Sequence, residues 1–134
     1  MMYRPALTAA FVFAIIGVMI GAMGAHALRN ALTAINSMDT FETAVKYQFY
    51  HSFALAFAGA LSIFYPSPWI RRATWAFILG IILFSGSIYL LVYLKTTPSL
   101  GLGGLGILTP IGGVCFILGW LFLLFAIHGK KKVA

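Results

Sequence analysis

Apolar and polar positions alternate along this chain in blocks. Four long apolar runs are separated by short polar or glycine-rich stretches. The first is "ALTAAFVFAIIGVMIGAMGA" from Ala6 to Ala25, and the second is "SFALAFAGALSIFY" from Ser52 to Tyr65. The third runs from about Thr74 to Leu94 and the fourth from about Pro110 to Ile127. A helix crossing a hydrocarbon core of ~30 Å needs about 20 residues. Runs one, three and four come close to that length. Run two reaches only ~21 Å at 1.5 Å per residue, and Pro66 and Pro68 block its extension at the C-terminal end. It must therefore borrow turns from "AVKYQFYHS", residues 44–52. The pattern predicts an all-α, four-transmembrane-helix bundle in one domain, 1–134, with spans at 6–26, 44–65, 73–94 and 109–128.

Composition agrees with this reading. Of 134 residues, 62% are hydrophobic and 8% charged, against roughly 45–50% and about 25% in soluble domains. Nine Lys and Arg against two Asp and Glu give a formal charge of +7. The basic residues border the apolar runs and form no stripe interleaved with aromatics, so nucleic acid is not an expected partner. Six of them (Arg4, Arg71, Arg72 and Lys130, Lys131, Lys132) fall on one side of the predicted membrane. Three (Arg29, Lys46 and Lys95) fall on the other. The excess of positive charge predicts cytoplasmic N- and C-termini and the cell inner membrane as the location. Trp69 and Trp75 flank the basic "IRR" stretch as interfacial aromatics do. "AHA" at Ala25 to Ala27 resembles a signal-peptide cleavage site, but the apolar run before it is longer than a usual h-region, so a retained span is expected.

Borrowing turns brings Tyr47, Tyr50 and His51 to membrane depth, with Lys46 reaching back toward the headgroups. Asp39, Glu42, Lys46 and Tyr50 lie within about 80° of arc on a helix, and Tyr47 and His51 form an adjoining stripe. Such a continuous polar face is expected to turn away from lipid. His26, at the end of the first span, belongs to the same membrane side. The cluster His26, Asp39, Glu42, Lys46, Tyr47, Tyr50 and His51 reads as a structural latch or binding site, with at least one member meeting the region of His26. In "SMDTFETAVKYQ", Ser37, Asp39 or Thr40 can cap a helix, Asp39 and Glu42 suit its positive end, and Glu42–Lys46 has the favoured i,i+4 polarity.

Small residues mark the packing faces. Ala14, Gly17, Gly21 and Gly24 share one side of the first span, and Gly17–Gly21 is a GxxxG pair that admits a close neighbour. Ser85, Gly86 and Ser87 sit near the middle of the third span, where hydroxyls bond to the preceding turn or to a neighbouring helix. Thr109 is expected to cap a helix opened by Pro110, and the apolar glycine loop before it to lie over the helix ends. Cys115, the sole cysteine, reads as a small buried hydrophobe. No HxxxH or HxxE spacing supports a metal, no GK[ST] supports a phosphate loop, and neither catalytic residues nor a cofactor is expected.

The stretches "GAMGAHAL" (21–28), "FETAVKYQFYHSFAL" (41–55), "LFSGSIYLL" (83–91) and "LTPIGGVCFILGW" (108–120) together resemble the DUF423 family of small integral membrane proteins. The resemblance covers nearly the whole chain in order. It implies a compact multi-span membrane protein and supplies no catalytic residue. The expected function is that of a non-catalytic accessory, scaffold or lipid-binding membrane protein. Its expected partners are the lipid bilayer and a second copy or a larger membrane complex. The rival is a small oligomeric transporter or channel for an ion or small solute, which would need a continuous polar path.

Overall fold

The computed structural model describes residues 2–96 and 104–129, and over them the fold is all-helical. Five helices follow in order: α1 (Arg4–Ala25), the short α2 (Arg29–Ala34), α3 (Met38–Phe64), α4 (Pro68–Lys95) and α5 (Leu105–His128). Three of them, α1, α4 and α5, are long and apolar enough to cross a membrane. The glycine loop falls largely on residues 97–103 and the lysine run on 130–132, outside the described residues.

Helix α3 contains 27 residues, about 40 Å at 1.5 Å per residue. It takes in the whole polar stretch and begins at Met38, ahead of the expected 44. Its start does not use the expected capping chemistry. Ser37 precedes the helix but makes no side-chain cap. Its hydroxyl donates to the Ile35 carbonyl at 3.2 Å and accepts from Lys95 Nζ at 3.1 Å. A long-range partner has taken the oxygen that a local cap would have used. Asn36, at φ 49°, makes the turn between α2 and α3, a left-handed position that Asn tolerates better than most residues.

Pro66 and Pro68 end α3 and start α4. Ser67 accepts the Trp69 amide as N-cap, so "IRR" lies in the first turns of a helix and not in a loop. Within α4 the backbone widens to a π-helical segment over Ile82–Gly86, which the apolar periodicity did not predict. Thr109 does not cap α5. The helix opens with a 3-10 turn at Leu105–Ile107, and the Thr109 hydroxyl instead lies 2.6 Å from that of Ser87 on α4.

The long helices pack antiparallel, each against its neighbour in sequence. On α1, Leu7, Gly17 and Gly24 meet Gly59, Phe49 and Phe41 of α3. On α4, Phe77, Gly80 and Phe84 meet Gly119, Phe116 and Gly112 of α5. The larger core gathers Leu55, Ala58, Phe77, Phe116 and Leu123. A second, around Leu32, Phe41, Ala44, Ile88 and Val92, lies under α2.

Candidate functional site

Helix α3 carries two polar faces, and they do opposite things. Ala44, Gln48, Ser52 and Leu55 recur at helical spacing and are buried. Asp39, Glu42, Lys46 and Tyr50 lie on the other side and are exposed. The expectation that this second face turns inward fails. Glu42 and Lys46 form an exposed ion pair at 3.4 Å and Tyr50 is 58% exposed, whereas Tyr47, on the adjoining stripe, stacks on Phe84 of α4 with centroids 4.5 Å apart. The inward face carries small residues beside Gln48, Ala44 and Ser52, which are buried with it.

Gln48 is the centre of that inward face. Its Nε2 donates to the Phe13 carbonyl of α1 at 2.8 Å, and its Oε1 accepts from the Tyr89 hydroxyl of α4 at 2.9 Å. A carbonyl can only accept, so the amide orientation follows from its partners. Gly17, one turn beyond Phe13, makes this approach possible. A Cβ there would lie 3.3 Å from Gln48 Nε2 and 3.0 Å from Phe49 Cε2. The same joining of helices recurs nearby. Ser85 donates to the Ala44 carbonyl at 2.8 Å, and Ser87 and Thr109 link α4 to α5. Gly86 lies between these serines in the π segment, and among the described residues a Cβ there would meet only the Ile81 carbonyl, at 4.0 Å.

His51 is the one buried histidine. Its Nδ1 donates to the Tyr47 carbonyl at 2.8 Å, since that oxygen offers no proton in return. Its ring stacks on Phe116 of α5, with centroids 3.4 Å apart and planes 6° apart. Tyr47, Phe77 and Trp120 complete an aromatic surround. His26 takes no part. It is exposed at the end of α1, level with Phe41. His51 stands ten residues further along α3, about 15 Å away at helical rise. The latch expected between the two histidines is therefore replaced by one between His51 and Phe116.

Among the small residues of α1, Gly17 and Gly24 are buried, whereas Gly21 and Ala14 are half-buried. A Cβ at Gly24 would overlap the Phe41 ring, but one at Gly21 would meet, among the described residues, only Val45 at 3.4 Å. Gly21 opens instead onto a groove of about 480 Å³ between α1, α2 and α3, rimmed by Arg29, Glu42 and Lys46. Among the described residues, no three His, Cys, Asp or Glu side chains come together as a metal-ligating group.

Sequence reasoning missed Gln48 and Thr109 as tethers, whereas Tyr89, near the middle of the third span, bonds to a neighbouring helix as hydroxyls there are expected to. The readable signal for Gln48 was the four-residue spacing Ala44, Gln48, Ser52, which puts a long polar side chain on a row of small ones.

A family model described as "Protein of unknown function (DUF423)" matches residues 20–113. A UPF0382 membrane protein of Staphylococcus aureus (strain bovine RF122 / ET3-1) is 41% identical over 106 residues, 79% of this chain and 80% of that protein. The UPF0382 membrane protein YwdK of Bacillus subtilis (strain 168) is 35% identical over 117 residues, 84% of this chain and 87% of its own length. A relative from Haemophilus influenzae (strain ATCC 51907 / DSM 11121 / KW20 / Rd) is 32% identical, with 87% of each chain covered. No solved structure matches.

Proposed function

The chain belongs to the DUF423 family of membrane proteins, and on that premise we propose that it is a non-catalytic accessory or scaffold protein of the cell inner membrane. In this reading α3 is a fourth span, and both termini face the cytoplasm. The observation that carries the proposal is the closed polar network of α3. Gln48, Ser52 and His51 are buried, and each has a hydrogen-bond partner inside the protein. An unpaired polar group in hydrocarbon costs several kcal/mol. A helix containing Gln, His and Ser can therefore cross only if those groups are taken up inside the protein, as Gln48 is by α1 and α4 and as His51 and Ser52 are by carbonyls of α3 itself.

The same network leaves little for catalysis or conduction. The two acids are exposed near one end of α3. His26 and His128 are exposed, and His51 is enclosed by rings, so no acid lies beside a histidine as a proton-transfer pair. The hydroxyls of Ser85, Ser87 and Tyr89 on α4 are spent on helix contacts, whereas a transporter or channel would keep them facing a path. The favoured orientation rests on the six-to-three division of basic residues.

Extraction from native membranes at low detergent, followed by native electrophoresis, tests the role. The protein is expected to migrate within a larger membrane assembly that harsh detergent dissociates. A protein that stays alone, and that passes ions or small solutes after reconstitution in liposomes, would overturn the proposal in favour of a transporter.

A further inference from the structure

The end of the molecule away from α2 gathers positive charge without any acid. Arg4 opens α1, and Arg71 and Arg72 lie in the first turns of α4. The only two acids of the sequence, Asp39 and Glu42, stand at the opposite end, in the first turns of α3. Arg72 lies over the Trp69 ring, 4.3 Å from its centroid. Arg4 and Arg71 are exposed, and among the described residues neither makes an ion pair.

Two grooves start from these arginines, one on each side of Trp75. The first, about 360 Å³, runs from Arg71 past Ala76 and Leu79 to Leu118. The second, about 530 Å³, runs from Arg4 past Val12 and Phe13 to Ile78. Trp75 lines both and is 58% exposed, so it forms the ridge between them. The hydroxyl of Thr74, beside the second groove, is turned back onto the Ile70 carbonyl at 2.9 Å and offers nothing polar to an occupant. Each groove is thus mostly apolar along its length and cationic at one end, with the Thr8 hydroxyl one turn from Arg4 in the second.

We propose that this end binds one anionic glycerophospholipid astride Trp75, its phosphate held by Arg4 and Arg71 and one acyl chain along each groove. Guanidinium groups at the edge of a hydrocarbon layer attract a counter-charge strongly because screening there is weak, and their planar fork suits phosphate oxygens. Among the described residues none supplies that charge at this end. From Arg71 to Leu79 is about 12 Å of helix, which gives an acyl chain a continuous bed. A tryptophan at this depth matches the interfacial position that its ring prefers. The inference goes beyond the scaffold reading and does not depend on it.

The test uses the purified full chain in nanodiscs of equimolar phosphatidylglycerol and phosphatidylcholine, with retained lipid measured by native mass spectrometry. Wild type is expected to retain phosphatidylglycerol preferentially. Arg4→Gln and Arg71→Gln should each weaken that preference roughly fivefold, since a basic residue near a membrane surface contributes on the order of 1 kcal/mol toward anionic lipid. Both side chains are exposed, and an unchanged melting temperature verifies that each variant is folded. Arg29→Gln with Lys46→Gln, at the other end, should leave the preference intact. Inorganic phosphate should not displace the lipid, because it cannot occupy the grooves. Equal retention of the two lipids by wild type, a preference that survives loss of both Arg4 and Arg71, one that is abolished by Arg29→Gln with Lys46→Gln, or displacement by phosphate would each overturn the proposal.

Discussion

Gln48 is where three helices converge, and its amide is the best single probe of how this protein holds itself together. Replacing it with Leu removes two interhelical hydrogen bonds and leaves the Tyr89 hydroxyl without its partner. Loss of about 1–2 kcal/mol is expected, read as a lower melting temperature in detergent. Combined with Tyr89→Phe, the two changes should couple by more than ~0.5 kcal/mol, because the bond between them can be lost only once. The histidines should behave differently. His51→Phe should destabilise the fold through the lost bond to Tyr47, while His26→Ala should have no effect and the pair should be additive, given their separation. Additive Gln48 and Tyr89 effects, or coupled histidines, would refute this description. That polar side chains enter the interior of α3 was legible in "KYQFYH". Which ones do so was not, because polarity marks a candidate and the row Ala44, Gln48, Ser52 decides the face. Tyr47 and Tyr50 drew notice by their chemistry but sit off that row.

At the scale of elements, the tightest contacts are glycine against a neighbouring helix, and they differ sharply from one another. A Cβ at Gly112 would collide with the Phe84 backbone nitrogen, which belongs to the π segment and cannot swing aside. Gly112→Ala is therefore expected to cost about 1–3 kcal/mol through overpacking. Gly21→Ala, which meets only Val45 at 3.4 Å and borders the groove, should leave the melting temperature near that of wild type. Equal effects at the two sites would contradict the packing. The four long helices were legible from hydrophobic blocks and prolines, including the N-terminal extension that α3 required, whereas the short α2 was not predicted. Helix starts were less so. Ser37 and Thr109 have capping chemistry, but Lys95 and Ser87 from elsewhere in the fold claim their oxygens. The π segment carries no local signal either. "ILFSG" has no proline, and Ser85 within it reaches the Ala44 carbonyl, a tertiary contact that no periodicity encodes.

For the whole molecule, the central claim is that α3 crosses the membrane as a fourth span and that both termini are cytoplasmic. Length and composition alone qualify α1, α4 and α5. The case for α3 rests on its 27 residues, on the Gln48 amide being taken up by α1 and α4, and on the His51 ring stacking on Phe116 of α5. Thiol accessibility in intact cells decides it most directly, using single cysteines introduced into a Cys115→Ala background. Thr40 is exposed at the start of α3, and Pro66 is exposed between α3 and α4. A membrane-impermeant maleimide should label Thr40→Cys, and should label Met2→Cys and Pro66→Cys only after the membrane is opened. Labelling of Thr40→Cys and Pro66→Cys alike from outside, or of Met2→Cys without lysis, would contradict the account.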